Sequence, residues 1–204
     1  MAGDVRLPTR WRWWDRWMRR GWRVLAVVMA VPTLLVGGCQ AVAVLASDDR
    51  TEVAVVDAAE VAIVDVENGA GSVRIVGAPD ADTVRVTSRI RDGLRPTHHR
   101  VGMEGDRLVV RARCPVVGST WCRAAYTIEV PADIEIDVWT RGEVTVSDVD
   151  AAVDVEAVHG SVTLERLGGA VVARAGHGRI DGADLAASTF DASADHGSVG
   201  ARFR

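Results

Sequence analysis

With 204 residues, 48% of them hydrophobic, the chain has room for one domain and a short targeting or anchoring segment. Beyond residue 46 it carries 17 Arg against 26 Asp and Glu, a net charge of −9, which argues against nucleic acid as a partner. Lys is absent and all 24 basic residues are Arg, a compositional bias from which no function follows.

Residues 1–23 hold seven Arg and five of the seven Trp, and an uncharged run follows from Val24 to Ala46. As a helix that run is roughly 34 Å long, enough to cross a hydrocarbon core of about 30 Å. The Arg cluster precedes the run, whereas Asp48 and Asp49 follow it, so the positive-inside rule places the N-terminus in the cytoplasm. The expected organisation is a cytoplasmic Arg/Trp-rich segment (1–23), a single transmembrane helix (24–46) and an extracytoplasmic domain (47–204) held at the cell membrane. Leu34–Cys39 offers an alternative, because LLVGGC is similar to a lipoprotein cleavage box and would leave a lipidated Cys39 as the mature N-terminus. Against it, Ala41–Ala46 stays apolar where a lipoprotein turns polar. Trp11, Trp14, Met18 and Trp22 fall at helical spacing beside an Arg stripe, an aromatic and basic flank that makes membrane lipid the expected partner of residues 11–46.

After residue 50 the apolar residues alternate with polar ones, the period of strands rather than helices. SVRIVG (72–77), DTVRVTSRI (82–90), DRLVVRAR (106–113), AAYTIEVP (124–131) and IEIDVWT (134–140) are predicted strands, and Arg91–Arg100, with Gly93, Pro96 and His98-His99, is a predicted loop. Cys114 and Cys122 bracket CPVVGSTWC; an even pair closing a short loop in an oxidising compartment is most simply a disulfide.

The second half repeats. Arg141–Val158, His159–Gly176 and His177–Asp195 are units of 18, 18 and 19 residues, with a partial unit from His196. Gly142, Gly160, Gly178 and Gly197 share the second position and are read as turn glycines. Val144, Val162, Ile180 and Val199 share the fourth, and Val149, Leu167 and Leu185 the ninth. Val153/Val155, Val171/Ala173 and Phe190/Ala192 match after a one-residue insertion. A period near 18 with two strands per unit is too short for a propeller blade and leaves no helix for a leucine-rich or ankyrin repeat. The predicted fold is all-β, a β-solenoid of about 18-residue coils behind one transmembrane helix. One coil cannot bury its own apolar residues, so each must stack on the next. Stacking would set Glu156 beside Arg174, and weaker copies upstream, Gly71-Ser72-Val73-Arg74-Ile75 and Tyr126/Ile128 with Ile134/Ile136/Val138, extend the architecture back toward residue 52.

VENGAGSVRIVGAPDADTVRV (66–86), AYTIEVPADIEIDVWTRGEVTVSDV (125–149) and the HGSV/HGRI units together resemble the bacterial "putative adhesin" β-strand-repeat proteins, over nearly all of residues 52–204. The resemblance implies a β-helix-like fold and a role in surface interaction or envelope response, with no catalytic residues to carry over. The chain departs from that pattern by stopping at Arg204 within a coil, so the closing strands are expected to be missing.

No Gly-x-Ser-x-Gly elbow, His-Glu-x-x-His pair or phosphate-cradling loop is present, and the carboxylates alternate along short strands as a solvated face does. The chain is therefore expected to be non-enzymatic and to need no cofactor. His159, His177 and His196 share one repeat position and would form a ladder that could share Zn²⁺ or Cu²⁺; the same position holds Arg141, and a polar residue before a Gly explains it without metal. The expected function is a membrane-anchored adhesin or surface-interaction module whose partner is a cell-wall glycan, an envelope protein, or a second copy met through the last coil. An envelope-stress sensor is the alternative, and it would lose its response on deletion of residues 1–20.

Overall fold

Strand alternation governs the computed structural model, which describes residues 49–69, 71–92, 96–115 and 122–204. The segments proposed to lie at and in the membrane, residues 1–46 including Cys39, fall outside the described residues. Among the described residues no helix is long and apolar enough to cross a membrane.

The described chain is all-β apart from one 3-10 turn at Ala58–Glu60. Its strands are β1 (Asp49–Asp57), β2 (Ile63–Asn68), β3 (Val73–Gly77), β4 (Thr83–Arg91), β5 (His98–Glu104), β6 (Arg107–Arg113) and β7 (Arg123–Val130). There follow β8 (Glu135–Thr140), β9 (Val144–Ser147), β10 (Val153–Ala157), β11 (Val162–Glu165), β12 (Val171–Leu185) and β13 (Phe190–Phe203). All five quoted sequence segments form strands. The predicted loop at Arg91–Arg100 does not persist to its end, because His98, His99 and Arg100 open β5, paired antiparallel with β6.

One 13-stranded sheet runs β1-β4-β7-β3-β9-β11-β12-β10-β8-β2-β6-β5, with β13 against β12, and it turns back on itself through the 15-residue β12 into a nearly closed, barrel-like form. The middle is parallel and in register. Val64, Ile136, Val153, Val171 and Phe190 follow one another on one side, and Val73, Val144, Val162, Ile180 and Val199 on the other. From β8 and β9 onward the step of about 18 residues in the sequence is thus the step from strand to strand. Burial follows the same alternation: Val144, Val146, Val155, Val162, Leu164 and Ile180 have no exposed surface. Each buried Val or Leu contributes roughly 1.5–3 kcal/mol relative to exposure, so the many small inward residues together hold the two sides.

The order of strands departs from a simple reading along the chain. β2 and β3 lie between the pair β6/β7 and the pair β8/β9, so residues 63–77 are inserted into a stack whose other members follow sequence order. Antiparallel strands border one end, β5 on β6 and β4 then β1 on β7. Polar groups secure the corner between the two sides. Asn68 donates to the carbonyl of Ala124 (2.9 Å), buried Thr140 donates to that of Asn68 (3.0 Å), and the Gly142 N–H donates to the Thr140 hydroxyl (3.1 Å).

The repeated glycines prove to be close-approach positions, Gly142 and Gly160 in bends between strands and Gly178 and Gly197 within β12 and β13. A Cβ on Gly142, Gly160, Gly178 or Gly197 would fall well inside contact with the carbonyl of Gly71, Gly142, Gly160 or Gly178 respectively. Positive φ, the property of a turn glycine, occurs among the described glycines at Gly71 and Gly105.

Candidate functional site

The outer surface of the β6-β2-β8-β10-β12 side collects acidic residues in register. Alternation turns Asp65, Asp137 and Asp154 outward, and the parallel pairing sets them side by side on β2, β8 and β10. The next outward row places Trp139 between Glu67 and Glu156. Neighbouring strands are about 4.8 Å apart, so the Asp row is a ladder of like charge, while in the next row Trp139 separates the two Glu. Arginines moderate it from the flanks: Arg107 lies 3.5 Å from Asp65 and 3.8 Å from Asp137, Arg174 lies 3.3 Å from Asp154, and Arg111 and Arg113 approach Glu67. Glu156 and Arg174 are register partners as the repeat implied, yet the ion pair runs diagonally to Asp154.

Asp137, in the middle of its row, holds its proton more tightly than an ordinary carboxylate. Partial burial is the largest cause, followed by Asp65 and Asp154 on either side, with Arg107 opposing. A shallow cavity of about 310 Å³ lies beside it, bounded by Arg107, Glu135, Asp137, Asp154 and Val172. The half-buried Trp139 offers an aromatic plane, and the carboxylates around it offer hydrogen-bond acceptors. Such a surface suits a polyhydroxylated ligand laid across the strands.

The histidine ladder exists as a stack. The rings of His159 and His177 lie 5.5 Å apart and 12° from parallel, and those of His177 and His196 lie 4.7 Å apart at 33°. Rings in that arrangement carry their nitrogen lone pairs side by side in successive planes instead of aiming them at one point. Among the described residues no group of three or more His, Cys, Asp or Glu side chains is placed to hold a metal ion. Cys114 and Cys122 are joined as a disulfide, with Cα atoms 5.9 Å apart.

A second cluster was not signalled by the sequence. His99 of β5 places Nδ1 2.7 Å from the Tyr126 hydroxyl of β7, and its Nε2 lies 3.5 Å from Glu52 of β1. Burial, the largest influence, pushes the His99 imidazole below its ordinary range; Glu52 opposes this and Arg50 adds to it. Burial and then Glu52 push the Tyr126 phenol far above its own range, so it keeps its proton. A phenol so held is a poor nucleophile, and the trio acts as a clamp between three strands. Nearby, the Thr97 N–H donates to Asp92 (2.7 Å), Arg50 pairs with Asp92 (3.2 Å), and the Thr97 hydroxyl lies 3.2 Å from the Cys122 sulfur. The signal that could have found this cluster is weak: a Tyr at an inward strand position, whose hydroxyl must meet a polar partner.

No protein-family model matches the chain, and no curated protein does. Solved structures with some likeness include a "putative cell adhesion protein" of Clostridium sporogenes, 9% identical over 77% of this chain and 100% of that one, with a TM-score of 0.41. A "putative adhesin" of Parabacteroides distasonis is 12% identical over 76% of this chain and 66% of that one, with a TM-score of 0.45. Another, from Parabacteroides merdae, is 8% identical over 77% and 92%, with a TM-score of 0.30.

Proposed function

We propose that the chain is a non-enzymatic, membrane-anchored interaction module of a bacterial envelope, a β-solenoid that meets a cell-wall glycan through the Trp139 face. One observation carries the reading: in-register strands align Glu67, Trp139 and Glu156 in one outward row and Asp65, Asp137 and Asp154 in the next. An aromatic platform edged by carboxylates stacks on the apolar face of a sugar ring while accepting from its hydroxyls. The carboxylates stand in ladders along neighbouring strands rather than facing each other across a cleft, as paired hydrolytic acids do. The anchor is the run Val24–Ala46, with Cys39 as the site of lipidation in the alternative arrangement.

The test uses the full chain in detergent and insoluble cell-wall glycan. Retention should fall at least about tenfold for Trp139→Ala, the loss of roughly 1.4 kcal/mol or more, with the thermal midpoint little changed. Equal retention of the variant, or no retention of the parent chain, removes the glycan reading. Capture of an envelope protein in place of glycan would move the same face to a protein partner.

A further inference from the structure

Among the described residues the far edge of β13 is unpaired, and it is self-complementary. Its position in the stack decides which groups it offers: the Val171 N–H donates to the Thr189 carbonyl (2.9 Å) and the Arg204 N–H donates to the Leu185 carbonyl (3.1 Å). In a parallel ladder the residues flanking a register partner bond inward to the stack, while the partner itself turns its N–H and C=O to the far edge. By this rule the outward-facing residues of β13 bond to β12. Phe190, Ala192, Ala194, Val199, Ala201 and Phe203, the inward-facing residues, turn their backbone groups away from it. Among the described residues β13 pairs with β12 alone. Its core end is also uncovered, for Val199 is 43% and Phe203 56% exposed.

Those six residues pair about a midpoint between His196 and Gly197, Phe190 matching Phe203 and Ala192 matching Ala201, with the smaller Ala194 set against Val199. The two arms of β13 lie opposite each other across the core, as the edge-to-face contact of Phe190 with Phe203 (5.6 Å) shows. A twofold axis passing through that midpoint and between the arms therefore lays each arm antiparallel on the other arm of a second copy. Phe190 then meets Phe203, Ala192 meets Ala201 and Ala194 meets Val199, each as a hydrogen-bonded pair. On the outer surface the same register sets Asp191 opposite Arg202, opposite charges at positions of closest side-chain approach.

We infer that a second copy of this chain covers the β13 edge in a closed, twofold, end-to-end dimer. The contact is isologous, with the same strand on both sides, so it ends at two copies and does not grow into a filament. It joins the two cores and is independent of what the Trp139 face binds.

Cysteines at positions 191 and 202 test it in the full chain. Asp191 and Arg202 stand on opposite outer surfaces of one chain, so a disulfide between them forms only across the twofold contact, where the spacing suits one. The double variant D191C/R202C should oxidise to a covalent dimer on a non-reducing gel, and D191C or R202C alone, with the same native cysteines, should stay monomeric. Charge reversal gives a second reading: Asp191→Arg should weaken dimerisation about tenfold or more, and D191R/R202D should restore it. A monomeric parent chain, a ladder of higher oligomers, or equal cross-linking of the single variants would overturn the inference.

Discussion

At the residue scale the stack depends on what is missing from its glycines. Gly160 lies between the backbones of its neighbours in the column, and a methyl group there would collide with the Gly142 carbonyl, which cannot move without breaking the ladder. Gly160→Ala should cost more than about 3 kcal/mol, at the upper end of ordinary substitutions, while Gly102→Ala, with open space around it, should be nearly neutral. Denaturant unfolding of both variants checks the contrast. The sequence displayed the column but not its reason, since a recurring Gly fits a turn as readily as a close approach. It hid another column altogether: Asp148, Arg166 and Asp184, eighth in their units, all take left-handed φ of 53–60°. No glycine marks these positions, and the strain is borne by residues whose ion pair, Arg166 to Asp148, holds Asp148 below its usual range.

His99 adds a pH dependence at the same scale. Burial lowers its folded pKa below the unfolded value of about 6.5, so the unfolded chain takes up the proton first. The stability it confers is fully present above that value and is lost as pH falls through the lower folded pKa. The thermal midpoint should therefore fall between about pH 7.5 and about pH 5.5, and His99→Gln should reduce that fall. An unchanged pH profile in the variant would show that protonation of His99 does not act on stability.

At the element scale, alternation and the 18-residue period located most strands because both are local properties of the chain. The register of β10, β12 and β13 was legible for the same reason: Val153, Val171 and Phe190 stand at one repeat position and pair in space. The place of β2 and β3 was not legible. Their inward Val64, Val66, Val73 and Ile75 suit any level of the stack, and nothing in residues 63–77 says which strands lie above and below. β5 was half hidden, because His98, His99 and Arg100 are too polar for a buried strand and serve as an antiparallel border.

At the scale of the whole described molecule, the insertion of β2 and β3 creates the candidate site. Without it Asp65 and Glu67 would not stand beside Asp137 and Trp139, and the acidic rows would be broken. The sequence showed the separate acidic strands, but their assembly into one face depends on long-range order that no local pattern encodes. The opposite ends differ as well: β4 and β1 border one, while at the other β13 pairs with β12 alone among the described residues, the edge we infer a second copy covers. The most direct measurement is disulfide formation in the full-length double variant D65C/D137C, whose positions are register partners on β2 and β8 although 72 residues apart in the chain. The inserted order predicts an intramolecular bond between positions 65 and 137, mapped by mass spectrometry of the peptides, and none in V109C/D137C. A bond in V109C/D137C with none in D65C/D137C would place β6 directly beside β8 and contradict the account.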